Sequence, residues 1–252
     1  MINRLNSSPL TPLPMLCDDS PLRVESILTM ASSERRLLCI GNSLTFEHRV
    51  PRLVSLLAAA ATPAQRLGTR MITRGGADLG WHRQQGHAAQ AIAEGIWHWV
   101  LIQDQSRRPA LSPAESVADC CYFAELARAA GAQPLFYATW ATADDPELLT
   151  PLRTSYAEAA RQSGCAHAPV GDAFALARQR LPHIPLHRED HLHPTPAGSL
   201  LAAAVIASYC GIVPPQRMAM PMLDAEAALV NIPEGQAGDL LRIARELCQA
   251  SQ

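Results

Sequence analysis

The chain has no large excess of either charge. Its formal net charge is −2 over 252 residues, which argues against nucleic acid or an anionic membrane surface as the main partner. Its arginine pairs, Arg35-Arg36 and Arg107-Arg108, are isolated and read as solvated faces. Long apolar runs are also missing from the start of the chain. The opening stretch, MINRLNSSPLTPLPMLCDDSPLRVESILTM, holds none long enough for a signal peptide or a membrane span. Its LPMLC segment departs from a lipoprotein cleavage box in the bulky Leu16 before Cys17. Residues 1–34 are therefore expected to be a poorly ordered Pro/Ser-rich tail, with Met30 as an alternative start. No CxxC occurs among the seven cysteines, at 17, 39, 120, 121, 165, 210 and 248. That leaves no zinc pattern, and the odd count, the place of Cys39 inside an apolar run and the adjacent Cys120-Cys121 suit a reduced, cytoplasmic protein better than a disulfide framework. There is no internal repeat.

What is present is core-forming sequence, with 48% hydrophobic residues. From residue 35 short apolar runs alternate with longer Ala/Leu-rich amphipathic stretches. Strands are predicted at 36–41, 67–73, 98–103, 134–139 and 166–170, and helices at 50–61, 78–94, 113–130, 146–163, 172–180 and 196–210. Strands separated by helices of this length imply βαβ units and a parallel sheet covered on both faces. Thr195 can cap the helix at 196–210, and Pro196 suits its first turn. The predicted domain spans 35–212. Residues 213–252, opening with the helix-breaking VPPQRMAMPM, are expected to be a C-terminal extension packing on the same domain, with helices at 223–230 and 235–249.

In open α/β sheets ligands bind beyond the carboxyl ends of the strands. The residues due there are Gly41-Asn42-Ser43, Arg74-Gly75-Gly76, Gln103-Asp104-Gln105-Ser106 and Trp140-Ala141. A serine needs an adjacent base to act as a nucleophile. Asp190 and His193 lie three apart just before a helix start, a spacing that lets the carboxylate orient the imidazole and leave Nε2 for the serine proton. His191 is a rival base, but it adjoins Asp190 and should point away. Oxyanion donors are available in the N–H of Ser43, the N–H of Gly76 (or Gly75) and the side-chain amide of Gln105. Asn42 and Trp140 are weaker candidates for contact with substrate, Trp140 being equally suited to the core. Asp104 and Ser106 read as structural, Arg107 as solvated, and Trp97 and Trp99 as packing. His82, His87 and His98 lack ligand spacing and read as surface or cap residues. Pro185 interrupts HIPLHREDHLH, so its histidines do not share a helix face and a metal site is not expected there.

These motifs resemble those of the SGNH hydrolases of the GDSL esterase/lipase superfamily. GNSLT resembles the serine block, RGGADL the glycine block, and DHLHPTPAG the block with the Asp-x-x-His pair. The resemblance covers residues 37–210. It implies a three-layer α/β/α, flavodoxin-like fold with five parallel strands. It also implies ester hydrolysis by a Ser43–His193–Asp190 triad, with Ser43, Gly76 and Gln105 in the oxyanion hole and no metal or organic cofactor. The third block departs from the usual Gly-x-Asn-Asp, reading Gln103-Asp104-Gln105-Ser106, similar to a Gln-[Asp/Glu]-Gln-Ser subset of the superfamily. Asn42 stands where Asp is usual. The expected substrate is a short-chain acyl ester, such as an acetyl group on a carbohydrate or small alcohol. An acyltransferase with the same triad and a non-catalytic carbohydrate-binding or scaffolding protein are the alternatives.

Overall fold

The computed structural model describes residues 22–27, 34–219, 222–223 and 228–250. Strands β1 (Arg23–Ile27) and β2 (Arg35–Gly41) lead into helices α1 (Ser43–Phe46) and α2 (Val50–Ala60). Strand β3 (Leu67–Thr73) is followed by α3 (Leu79–Gln85) and α4 (His87–Ala93), and β4 (Trp99–Ile102) by α5 (Arg108–Leu111) and α6 (Pro113–Ala129). Strand β5 (Gln133–Ala138) precedes α7 (Leu149–Ser163), and β6 (Ala166–Pro169) precedes α8 (Val170–Arg180) and α9 (Pro196–Tyr209). The described chain closes with β7 (Met222–Leu223), β8 (Ala228–Val230) and α10 (Glu234–Ala250).

The main sheet has the order β1-β3-β2-β4-β5-β6. Strands β2 to β6 are mutually parallel, in the flavodoxin-like order, and β1 pairs antiparallel with the outer edge of β3. β2 explains why two helical layers form. Leu37 and Cys39 face a core shared with α2, α8, α9 and α10, whereas Leu38 and Ile40 face one shared with α4, α6 and α7. Because side chains alternate along a strand, a strand apolar at every position needs cover on both sides. Helix α9 is apolar all round and is buried along Ala197–Ala207, with α2, α8 and α10 packed against it. Its start follows the local chemistry: the Thr195 hydroxyl accepts from Gly198 N–H at 3.2 Å, and Pro196 occupies the first turn.

Four expectations need correction. The sheet has six strands, not five, because residues 23–27 form β1 instead of continuing the tail. Pairing with β1 satisfies backbone groups along β3 that would otherwise be an open edge, a gain invisible in a five-residue segment with few apolar positions. Residues 1–21 and 28–33 of the expected tail lie outside the described residues. The helix expected at 78–94 is two helices, since Gly86 takes φ +77° and ends α3. Residues 146–148 are a 3₁₀ turn ahead of α7. The helix expected at 223–230 is replaced by an antiparallel pairing of β7 with β8, in which Val230 joins the core, so tertiary contact overrides helix propensity there.

Candidate active site

Two parallel strands lying side by side, β2 and β4, are followed in sequence by crossovers to opposite sides of the sheet, which opens a crevice between their carboxyl ends. Ser43 stands at that point. The chain leaves β2 through Gly41 and Asn42 and enters α1 at Ser43. The Asn42 side chain caps the helix by accepting from Leu44 N–H at 3.1 Å, and its Nδ2 donates to the Ala77 carbonyl at 3.0 Å. Asn42 thus ties the serine turn to the glycine loop. It also lines the cavity, and with each atom of its side-chain amide already holding one hydrogen bond its part in this geometry is to position the loop.

Gln103 holds the same turn from the other side. It is fully buried. Its Oε1 accepts from Asn42 N–H and from the Thr45 hydroxyl, each at 2.9 Å, and its Nε2 donates to the Asp104 carbonyl. A Cβ on Gly41 would collide with Gln103 Oε1 and Thr45 Oγ1; only a glycine allows that approach. The Gly41 carbonyl in turn accepts from His82 Nε2 at 2.8 Å. His82 is therefore not the surface or cap residue expected: it is 1% exposed. Burial pulls its pKa down to about 4, against the opposing effect of the Gly41 hydrogen bond. A neutral imidazole with its proton on Nε2 follows.

Asp104 anchors the second loop. Its carboxylate, also fully buried, accepts from Leu79 N–H at 2.9 Å, Gln105 N–H at 2.8 Å and the Ser116 hydroxyl at 2.6 Å, and pairs with Arg108 at 3.1 Å. Arg108 also reaches Asp119 at 2.7 Å. Burial pushes the Asp104 carboxyl above its ordinary value, opposed chiefly by Arg108. These contacts clamp the start of α3 to the loop after β4. Gln105, next in the chain, uses its Oε1 to accept from the N–H groups of Arg107 and Arg108, at 2.8 and 2.9 Å. That fixes the amide orientation and leaves its Nε2 uncommitted in the cavity wall.

The loop before α9 brings in the imidazole. Asp190 Oδ1 accepts from the N–H groups of Leu192 and His193, at 3.0 and 2.9 Å, while Oδ2 accepts from His193 Nδ1 at 2.7 Å. The opposite ring atom, His193 Nε2, lies 2.9 Å from Ser43 Oγ. Burial works against the Asp190 charge, but the hydrogen bonds from the His193 ring and the two backbone N–H groups outweigh it and hold the carboxyl at about 2. His191 makes no contact with Ser43; at φ +62° its carbonyl accepts from Ala143 N–H at 2.8 Å. Trp140 also departs from its weaker reading as a pocket wall. It is 1% exposed, stacks on Phe174 at 4.1 Å and donates from Nε1 to the Leu192 carbonyl at 2.9 Å. It supports the histidine loop from beneath.

Ser43, Gly75, Gly76, Gln105 and His193 line one cavity of about 430 Å³. Gly76 adopts φ +66° in a turn closed by Ala77 N–H on the Arg74 carbonyl. The N–H groups of Ser43 and Gly76 have no acceptor among the described residues. Gln103, His82 and Arg108 carry no sequence signal as supports, and neither do Arg23 and Glu47, which also line the cavity. A capacity to bridge strand ends leaves no local pattern for the supports. Arg23 was hidden within the presumed tail.

No protein-family model and no curated protein matches the chain. Among solved structures it is similar to a protein from Slackia heliotrinireducens assigned as an SGNH hydrolase, at 32% identity over 71% of this chain and 100% of that one, with a TM-score of 0.61. It is similar in fold to a DUF4886 family protein from Bacteroides uniformis, at 17% identity over 86% and 96% of the two chains, TM-score 0.68. An acetyl-xylooligosaccharide esterase from Geobacillus also shares the fold, at 14% identity over 69% and 91%, TM-score 0.55.

Two outcomes follow for the supports. Gly41→Ala is expected to lower stability by about 1–3 kcal/mol through overpacking, read as a shifted denaturant midpoint, and to misplace Ser43. Unchanged stability would mean that Gln103 moves aside freely. An unfolded His82 takes up a proton near 6.5, whereas the folded one waits until about 4. The unfolded state therefore binds more protons in that window. Stability is expected to fall as the pH drops from 6.5 towards 4, by an amount on the order of 3 kcal/mol. His82→Gln, which can still donate to Gly41, should flatten that slope in denaturation curves recorded across the window.

Proposed function

The chain belongs to the SGNH hydrolases, serine enzymes that act on esters, and from that premise we propose that it hydrolyses short-chain acyl esters through a Ser43–His193–Asp190 triad. One observation carries the reading: the continuous proton path from Ser43 Oγ to His193 Nε2 at 2.9 Å and from His193 Nδ1 to Asp190 Oδ2 at 2.7 Å, opening on a cavity with unspent hydrogen-bond donors.

In the proposed reaction Ser43 Oγ attacks the ester carbonyl carbon and its proton passes to His193 Nε2. Asp190 stabilises the resulting imidazolium and fixes Nδ1–H towards itself. The carbonyl oxygen, now negative, is met by the N–H of Ser43, the N–H of Gly76 and Nε2 of Gln105. The C–O bond to the alcohol breaks, and His193 returns the proton to the leaving oxygen. Water then enters with His193 as base, and the acyl-enzyme is cleaved by the same steps in reverse roles. None of these steps calls on a metal or an organic cofactor.

A cavity of about 430 Å³ has room for an acyl group together with part of the alcohol it esterifies. The acetyl-xylooligosaccharide esterase among the fold neighbours lends support to an acetyl ester on a carbohydrate as the substrate class.

A fluorophosphonate probe is expected to label Ser43, and Ser43→Ala should abolish both labelling and turnover of 4-nitrophenyl acetate. Turnover that survives Ser43→Ala would refute the triad. Removing the carboxylate from a triad costs less than removing the nucleophile. Asp190→Ala should therefore keep measurable activity, reduced by about 10²–10⁴-fold, while Ser43→Ala keeps none. Gln105→Ala is expected to lower kcat by about 10²-fold if its amide meets the oxyanion. A loss below about threefold would assign Gln105 to capping α5 alone.

A further inference from the structure

Beyond the triad, the cavity carries one cation with no use in the hydrolysis of a neutral ester. Arg23 lies on the added edge strand β1 opposite Thr73, the last residue of β3 before the glycine loop. Its guanidinium carbon sits 4.2 Å from the ring centroid of Phe46, one helical turn beyond Ser43. Arg23 is therefore held against the serine helix by its stacking and against the glycine loop by its strand. It is solvent-exposed and lines the same cavity as Ser43 and His193.

The charge balance there is unequal. The cavity's carboxylate, Glu47, pairs with Arg188 at 3.3 Å. No carboxylate pairs with Arg23 among the described residues. A guanidinium whose face rests on an aromatic ring still offers its edge N–H groups, arranged to grip a carboxylate with two hydrogen bonds. We propose that Arg23 determines specificity by binding a carboxylate on the substrate, so that the preferred substrates are esters of anionic molecules, such as a uronic acid or a dicarboxylic half-ester. This rests on the esterase reading above and narrows its substrate class. The bond broken and the proton path are unchanged. What Arg23 adds is a second point of attachment, which orients the ester over Ser43.

The test uses two matched pairs on the full chain. In one the charge is on the acyl side, 4-nitrophenyl hemisuccinate against 4-nitrophenyl butyrate; in the other it is on the alcohol side, 4-acetoxybenzoate against its methyl ester. In at least one pair Arg23→Gln should lower the anionic-to-neutral ratio of kcat/KM by more than about twofold and up to about fivefold, the size of an exposed ion pair. Arg23→Lys should retain most of that ratio, and about 0.5 M salt should narrow it. A ratio that stays within about twofold in both pairs overturns the proposal. Calorimetric titration of Ser43→Ala protein with the same anionic esters, with and without Arg23→Gln, reads the attachment without any turnover. If Ser43 proves unreactive to the fluorophosphonate, the esterase reading fails, and this binding comparison still decides the role of Arg23: weaker binding of an anionic ester in Arg23→Gln supports it, and equal binding overturns it.

Discussion

The buried side-chain oxygen of Gln103 is the constraint around which the site is assembled. It takes one backbone hydrogen bond from Asn42 and one from the Thr45 hydroxyl. The end of β2 and the first turn of α1 are thereby fixed to the end of β4. The contact exists only because position 41 has no side chain. A buried acceptor left without donors is costly, so the three groups stabilise one another and leave Ser43 a single place to stand. Its hydroxyl then needs no further persuasion from its own neighbours; it is delivered by the backbone.

From that point the polar interior spreads outward in a fixed order. Gln103 Nε2 meets the Asp104 carbonyl, Asp104 holds Leu79 and Gln105 by their N–H groups, and Arg108 balances its charge. Asn42 closes the circuit by donating to Ala77. The glycine loop and the loop after β4 therefore move with the serine turn. Preorganised donors stabilise a developing charge because they need no reorientation when it appears, and this network is what would keep Ser43 N–H, Gly76 N–H and Gln105 in mutual register.

Much of this was legible in the sequence, and for a physical reason. β2 is apolar from Leu37 to Ile40 and β4 throughout, so their place at the centre of a doubly covered sheet follows from hydrophobicity alone. The Asp190–His193 spacing and the Thr195-Pro196 start are equally local signals. What escaped is non-local. His82 looks like any helical histidine until α3 is laid across Gly41. Trp140 suits a pocket wall or the core alike until Phe174 stacks against it. The strand β1 carries too few apolar residues to announce itself, because an edge strand is held largely by its ladder. The helix expected at 223–230 failed in the opposite sense, its propensity yielding to pairing.

The histidine loop shows how an exposed pair can still be well placed. The Asp190 side chain is 47% exposed, so its attraction for the imidazole is partly screened by solvent. The orientation of His193 cannot rest on that attraction alone. It rests on the other Asp190 oxygen, which accepts from two backbone N–H groups of the same turn, and on Trp140 and Ala143, whose N–H groups hold the carbonyls of Leu192 and His191. Position is thus secured by backbone hydrogen bonds and an aromatic stack, while the carboxylate supplies the tautomer. An arrangement of this kind keeps the imidazole near water, which the proposed acyl-enzyme would need at the ring for its cleavage. The exposure of Asp190 is in that sense compatible with the chemistry, because the rigidity has been moved one layer below it.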